Sequence, residues 1–463
     1  MLTNVRKMKT IFITITRGMV ARNILRGGVL DILSQDKNLR IIILIPKIKG
    51  QEAPDYFLNE FARENVKIEL LENKKMGKIE RGFNYFISKL VFTKSTKLYL
   101  RFHVKEKRRI GELGYFFYWL FYAPFSKIKF LKKIIRWLDY LFFPGDMYSP
   151  YFEKYKPDLF FSTCIMSQFD IALLKEAKKR RIKTISMPRS WDNLDKLFFR
   201  IEPDLFLVQN EKMKIEAQKY QAIDGRKIKV VGFPQFDLYA DKGIFLPKQD
   251  YCRRKNFNPD LPIIFIGSEG TWSKGDEKIF EQIIIAREEK KLPQCNILIR
   301  PHYSEAARQN YKPLEKYQNV YIDDKFRKSQ FFNDKWDPSR EDMRDFANSL
   351  FYCDLMVTFA STLALDAACF DKPIIGIKYG VKFINGKDRT DLMYKTIHYS
   401  WVLETEAVSL AENNEELIAK INQYLKNPQY KQKERQELFN QLCFKVDGKS
   451  SERIAGAILS III

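Results

Sequence analysis

Near-continuous runs of β-branched and aromatic residues recur along the chain, each bounded by charged or turn-forming positions. Such runs predict strands buried on both faces, hence a parallel sheet. The first series is KTIFITIT (9–16), RIIILIPK (40–47), PDLFFSTC (157–164), KTISMPR (183–189), PDLFLVQN (203–210) and KIKVVGF (227–233). The second is PIIFIGS (262–268), CNILIRP (295–301), NVYIDD (319–324), DLMVTFA (354–360) and PIIGI (373–377). Helix-length segments rich in Lys, Glu, Ala and Leu separate several of these runs. Alternation of this kind predicts an α/β architecture of two doubly wound, Rossmann-like domains facing across a cleft. Pro, Asp and charge crowd the break at 233–262. The expected boundaries are an N-terminal domain over 1–238, a linker over 239–262, a second domain over 263–440 and a closing helix over 441–463 that packs back toward the first. A length of 463 residues suits two cores.

A different pattern occupies the middle of the first half. GYFFYWLFYAPF (114–125) is an aromatic run, and KIKFLKKIIRWLDYLFF (127–143) is amphipathic at helical spacing. Leu131, Ile134, Ile135, Leu138 and Leu141 fall on one side, with Lys129, Lys132, Lys133 and Arg136 largely toward the other. Charge sharpens this picture. The chain is +23 overall, and the stretch from Lys74 to Arg136 holds 17 Lys/Arg against three Glu. A basic, aromatic-rich helical region over about 74–143 is expected to meet an anionic membrane surface. Plain solvated helices or a single-stranded nucleic acid site would give a similar pattern. No nucleic-acid-binding motif supports the latter, so no nucleic acid partner is expected.

Composition removes other classes. Six Cys are scattered singly and three His lie far apart, so neither a disulfide framework nor a local zinc site is expected. The N-terminal run TIFITIT has seven residues and reads as a strand, not as a signal peptide. No run reaches the roughly 18 residues of a membrane span. The expected location is cytoplasmic, peripheral on the inner membrane face.

Ligands of doubly wound sheets sit beyond the carboxyl ends of the strands, so the residues that follow each strand are the candidates for chemistry. After the first strand come Arg17, Gly18, Arg22 and Asn23. After the fourth come Arg189, Trp191, Asp192 and Asn193, with Trp191 as a sugar-stacking face and Asp192 as a general base. Turn formation alone would also explain Asp192 and Asn193. In the second half, Gly270, Thr271 and Lys274 form a loop suited to a diphosphate, and Arg300 and His302 end a strand. The stretch CDLMVTFASTLALDAACFDKPIIGI (353–377) runs from a strand into a helix at Ser361-Thr362. Its first turn predicts an anion site, with Asp366 placed to reach sugar or ribose hydroxyls. Gly448-Lys449-Ser450 is not a P-loop, because Cys443 stands at the earlier glycine position. No Asp-x-Asp occurs, so no metal and no other cofactor is expected.

IRPHY, the 353–377 stretch and YLKNPQYKQKERQELFNQLCFKVDGKSSERIAGAI (424–458) resemble the carboxyl half of bacterial GT-B glycosyltransferases of surface-polysaccharide synthesis, related to the CDP-glycerol glycerophosphotransferases. ISMPRSWDN and VVGFPQFD are similar to landmarks of the amino-terminal domain and the domain crossover of that group. The resemblance covers roughly 150–455. It implies that Arg300 and His302 face a nucleotide-sugar donor, that Ser361 and Thr362 bind its phosphates, and that Asp366 binds ribose or sugar. The chain departs from the group in having Ser-Thr for the usual Ser-Ser and in lacking a matching amino-terminal His. The function expected is metal-independent glycosyl transfer (EC 2.4) from a nucleotide-sugar to a glycan or lipid-linked glycan acceptor, in capsule, lipopolysaccharide or related synthesis. In that reading Asp192 and His302 are catalytic, and Arg17, Arg22, Arg189, Trp191 and Asn193 bind the acceptor. Alternatives are a CDP-glycerol type polyol-phosphate transferase, a UDP-GlcNAc 2-epimerase-like enzyme and a non-catalytic, membrane-docked GT-B scaffold.

Overall fold

The computed structural model describes residues 8–48, 50–73, 75–101, 112–270, 273–303, 309–383 and 390–462. The chain divides into two compact units, each built around its own parallel sheet. One unit comprises the chain up to Gln235, the segment Ser329–Asp337 and the chain from Lys449 onward. Its strands are β1 (Lys9–Thr14), β2 (Leu39–Lys47), β3 (Val66–Glu72), β4 (Leu159–Ser162), β5 (Lys183–Ser186), β6 (Leu205–Val208) and β7 (Ile228–Val230). They lie in the order β3-β2-β1-β4-β5-β6-β7, all parallel. Ile11 stands opposite Ile41 on one side and Leu159 on the other. Ile11 and Ile13 join one core layer with Ile41 and Ile43, while Phe12 points to the other face against Phe152, ring centroids 5.2 Å apart. Burial on both faces explains why β1 has no polar alternation.

Ser329–Asp337 reaches this unit from the middle of the other unit's chain. Phe331 and Phe332 enter its core beside Phe57, at centroid distances of 5.1 and 5.7 Å. Asp337 is buried and accepts hydrogen bonds from Arg26 (2.6 Å) and Tyr56 (2.9 Å). Asp334 accepts from the backbone N–H groups of Gly18 (3.0 Å) and Met19 (3.3 Å), the turn after β1. The closing helix Ser450–Ile462 also belongs to this unit, with Ile454 and Ile458 in the same core.

The amphipathic segment forms a helix over Lys129–Phe142, with Ile135 in a buried cluster and Leu131 packed against it, but part of its polar side is buried as well. Two of the four cations expected in solvent, Lys132 and Arg136, are buried. Lys132 donates to the Tyr220 carbonyl (2.7 Å), and Arg136 donates to the carbonyls of Phe199 (3.0 Å) and Gln221 (2.5 Å). Asp139, one turn on, receives Arg200 (2.6 Å) and Lys175 (3.0 Å), and Arg200 also holds Glu80 (2.9 Å). Phe130 and Trp137 are 71% and 61% exposed instead. The helix Glu112–Phe125 likewise exposes Leu113, Phe116, Phe117 and Leu120. Buried carbonyls that need donors account for the two buried cations, since an unpaired buried carbonyl costs about 1–3 kcal/mol. Among the described residues no helix is long and apolar enough to cross a membrane.

The other unit comprises Phe236–Lys328 and Pro338–Gly448. Its strands are β8 (Ile263–Gly267), β9 (Ser273–Lys274), β10 (Asn296–Arg300), β11 (Val320–Ile322), β12 (Leu355–Thr358), β13 (Ile374–Ile377), β14 (Lys382–Phe383) and β15 (Val408–Ala411). Six form a parallel sheet in the order β11-β10-β8-β12-β13-β15, and β9 pairs antiparallel with β14. The stretch 239–262, read from sequence as a linker, lies within this unit. It carries the helix Lys248–Lys255, whose Tyr251 is buried and bonds Ser349 (3.2 Å), while Lys255 pairs with Asp345 (2.6 Å).

Candidate functional site

Each sheet has a switch point, where successive strands leave a central strand in opposite directions, and loops diverge there to leave room for a ligand. In the second unit the switch lies between β8 and β12. Gly267 ends β8, and a Cβ there would stand 2.2 Å from Leu363 Cδ1, the tip of a side chain that opens the helix after β12. Gly270 has φ +84°, and a Cβ would meet His302 Cγ at 2.5 Å. The His302 backbone N–H donates to Ser268 Oγ (2.7 Å), and its ring lies 3.9 Å from that of Tyr303. The β8 and β10 loops are thereby locked together around one imidazole. Asp276 accepts from Tyr311 (2.7 Å) and from the Glu269 N–H (3.2 Å), and burial pushes its carboxyl up to about 6. Burial and the nearby Glu269 raise the Tyr399 phenol, which stays a neutral donor.

Ser361 and Thr362 follow β12 at this same switch. Ser361 Oγ accepts from the Leu363 N–H (3.3 Å), and the helix after them, Leu363–Ala368, spans six residues. Asp366 is buried and accepts from Tyr239 (2.6 Å), within the same unit. Lys274 lies apart from His302's contacts, lining a cavity of about 680 Å³ with Lys278, Lys382 and Tyr379. Thr271 lies outside the described residues. Arg300 departs from the expectation of a donor-facing cation. Its guanidinium pairs with Asp323 and lies 4.4 Å over the Phe346 ring. Burial opposes ionisation of Asp323, yet Arg300 and Lys255 hold it below the ordinary carboxylate range.

In the first unit the switch lies between β1 and β4. Arg17 after β1 and Arg189 after β5 both act on the Cys164 thiol after β4, which burial and Asp170 push up to about 11 against their pull. Asp170 accepts from Thr14 and from Ser162 (2.8 Å), which ties the ends of β1 and β4 together. Burial pushes Asp170 up to about 6. The remaining expectations are revised by packing. Arg22 lies 5.0 Å over the Trp336 ring and bonds Asn23 (2.9 Å). Trp191 is 3% exposed, so its ring is not an open stacking face. Asn193 is buried and shapes the turn, accepting from the Ser190 N–H (3.1 Å) and donating to Asp192 (3.0 Å). Asp192's other oxygen is paired with Lys196, and Asp192 is the strongest influence holding that ammonium above its ordinary range against burial. A base role for Asp192 requires that pair to open.

Sequence reading did not single out Cys164, Glu269, Tyr399 or the Asp334-Lys335-Trp336-Asp337 segment. The signal available for the segment was the pair Phe331-Phe332 standing in an otherwise polar stretch. Among the described residues no group of three or more His, Cys, Asp or Glu side chains is placed to hold a metal ion.

Comparison with known proteins adds the family. A family model described as CDP-Glycerol:Poly(glycerophosphate) glycerophosphotransferase matches residues 176–460. A search of curated proteins found no match. Solved structures match nearly end to end. The UDP co-structure of MnaA from S. aureus is 13% identical, with a TM-score of 0.53, covering 98% of each chain. UDP-GlcNAc 2-epimerase from Neisseria meningitidis bound to UDP-GlcNAc is 14% identical, with a TM-score of 0.54, covering 98% of this chain and 100% of that one. The wall teichoic acid polymerase TagF is 13% identical, with a TM-score of 0.54, covering 99% and 90%. These likenesses establish the GT-B fold, two α/β units with parallel sheets of seven and six strands. Because the family match spans well over half of the sequence, the chain belongs to the CDP-glycerol:poly(glycerophosphate) glycerophosphotransferase family, a family of transferases.

Proposed function

We propose that this protein transfers a polyol phosphate of the glycerol phosphate type from a CDP-activated donor to a growing cell-wall polymer. The observation that carries this reading is the family match over 176–460, which runs through every carboxyl-end loop of the second unit. It favours a polyol phosphate over the sugar expected from sequence as the transferred group. The acceptor hydroxyl attacks the donor's β-phosphorus, the bond from that phosphorus to CMP breaks, and the hydroxyl proton leaves to a base. His302, fixed by Ser268 and Gly270, faces the diphosphate together with the Ser361 and Thr362 hydroxyls. Asp366, shared with Tyr239, takes a ribose hydroxyl, and Lys274 adds positive charge on the donor side. Arg17 and Arg189 meet the phosphates of an anionic acceptor. Cationic side chains stabilise the charge on departing CMP. A divalent cation is not required in this reading, so turnover should persist in EDTA. Loss of turnover that Mg²⁺ restores would contradict it.

The same reading brings the protein to a membrane surface, where a lipid-linked acceptor resides. Its support is the helix Lys129–Phe142, which presents Phe130 and Trp137 to solvent beside the exposed Lys129 and Lys133. Aromatic rings at that density suit the headgroup boundary of a bilayer. The functional test is incorporation of label from CDP-[¹⁴C]glycerol into polymer on acceptor-bearing membranes. Incorporation from CDP-glycerol and not from UDP-N-acetylglucosamine supports the reading, and the reverse preference overturns it.

A further inference from the structure

The first unit carries a cavity of about 540 Å³, within the range of about 300–1,000 Å³ usual for small-ligand clefts. Four lysines line it, Lys127 just before one helix, Lys129 and Lys132 at its start and Lys219 at the end of another, and no carboxylate does. Among the described residues Lys127 and Lys129 have no ion-pair partner. Lys132 lies deepest. One of its three ammonium N–H groups goes to the Tyr220 carbonyl, and burial, with Arg136 and Lys129 beside it, pushes it down to about 8. Like charges gathered without an acid repel one another, and an incoming anion relieves that repulsion. Apolar side chains accompany the lysines: Phe92 and Ile215 line the cavity, and beside it exposed Ile128 and Phe130 alternate with Lys127 and Lys129 along the chain. One buried and three exposed lysines beside apolar side chains suit a charged headgroup entering from a hydrocarbon boundary, with lysine stems along the apolar surface.

We propose that this cavity receives the phosphate group of an anionic lipid, giving the first unit a specific headgroup contact in addition to its aromatic surface. The inference rests on the membrane reading above. It is tested by co-sedimentation, at physiological ionic strength, with vesicles of phosphatidylcholine alone and of phosphatidylcholine mixed with phosphatidylglycerol. The parent should prefer the mixed vesicles. The variant Lys127→Gln/Lys129→Gln/Lys219→Gln changes three exposed side chains and should keep the parent's melting temperature. It should lose that preference by on the order of a hundredfold, at about fivefold per lysine. A control, Lys75→Gln/Lys78→Gln/Lys133→Gln, removes the same charge outside the cavity and should lose at most about fivefold, because those side chains touch no bound headgroup and attract it only through screened solvent. Equal losses in the two variants would overturn the cavity, leaving diffuse charge as the cause. A parent that binds both vesicle types equally would overturn the cavity while preserving the membrane reading. Binding to neither type would overturn both. Inorganic phosphate should leave vesicle binding unchanged, and full competition by it would overturn the lipid as the source of the anion.

Discussion

Gly270 and His302 show how little freedom the candidate donor site allows. Alanine at position 270 would face both φ +84° and the imidazole at 2.5 Å. Gly270→Ala should therefore cost about 1–3 kcal/mol of stability and displace His302, lowering turnover at least about tenfold. Unchanged turnover with normal thermal denaturation would show that the loop has slack. Asp192 is the opposite case, a residue legible as polar and well placed in sequence but committed in the fold. With Lys196 as its partner, Asp192→Asn should lower stability by about 1–3 kcal/mol while keeping kcat within about tenfold. A loss above about a thousandfold at unchanged Tm would restore it as the base. Asp170 gives a pH signature. Burial sets its folded pKa at about 6, against about 3.9 for an unfolded carboxylate. The folded chain then keeps a proton that the unfolded chain loses, so the contribution is full below about pH 4 and falls by about 3 kcal/mol as pH rises through 6. Asp170→Asn should flatten that part of the Tm–pH curve, and an unaltered slope would contradict the assignment. Residue identities such as Gly270 and His302 could be read from the chain. Their partners could not, because Ser268, Asp323 and Lys196 are chosen by three-dimensional packing.

At the scale of elements, strands buried on both faces announced themselves. β3 did not, since VKIELLE is an edge strand with charged and half-buried positions, nor did β15, which has four residues. The helix Lys129–Phe142 was legible as an amphipathic helix, but the burial of Lys132, Arg136 and Asp139 was not. Periodicity reports that two faces differ, and the interior draws in polar side chains where it lacks partners. Here the carbonyls of Phe199, Tyr220 and Gln221 and the Arg200 guanidinium need polar partners. Asp139→Asn should cost about 3–5 kcal/mol, as loss of one partner from a buried charge network does. A melting temperature unchanged by that substitution would show that the network is dispensable. On the outer face, Phe130→Ser/Trp137→Ser should leave the melting temperature unchanged and release the protein from vesicles. Equal vesicle binding would remove the aromatic face as the contact. Ser329–Asp337 was illegible for another reason. A segment that leaves one unit to complete the core of another carries no periodicity of its own, and its Phe331-Phe332 pair gains meaning only beside Phe57.

For the whole molecule, two doubly wound sheets followed from the alternation of strands and helices, because a parallel pair demands a crossover and the crossovers are helical. The division between units was less legible, since Tyr251 and Lys255 draw 239–262 into the second unit despite a composition that resembles a linker. The central claim is that the second unit holds a CDP-activated polyol phosphate. The most direct measurement is the melting temperature of the full chain with CDP-glycerol, set against UDP-N-acetylglucosamine, for the parent and for His302→Ala. A ligand at a hundredfold excess over its Kd adds about 2.7 kcal/mol to stability. The account predicts a rise with CDP-glycerol that His302→Ala abolishes, and little change with UDP-N-acetylglucosamine. Stabilisation by the UDP-sugar alone, or a CDP-glycerol shift that survives in His302→Ala, would contradict it.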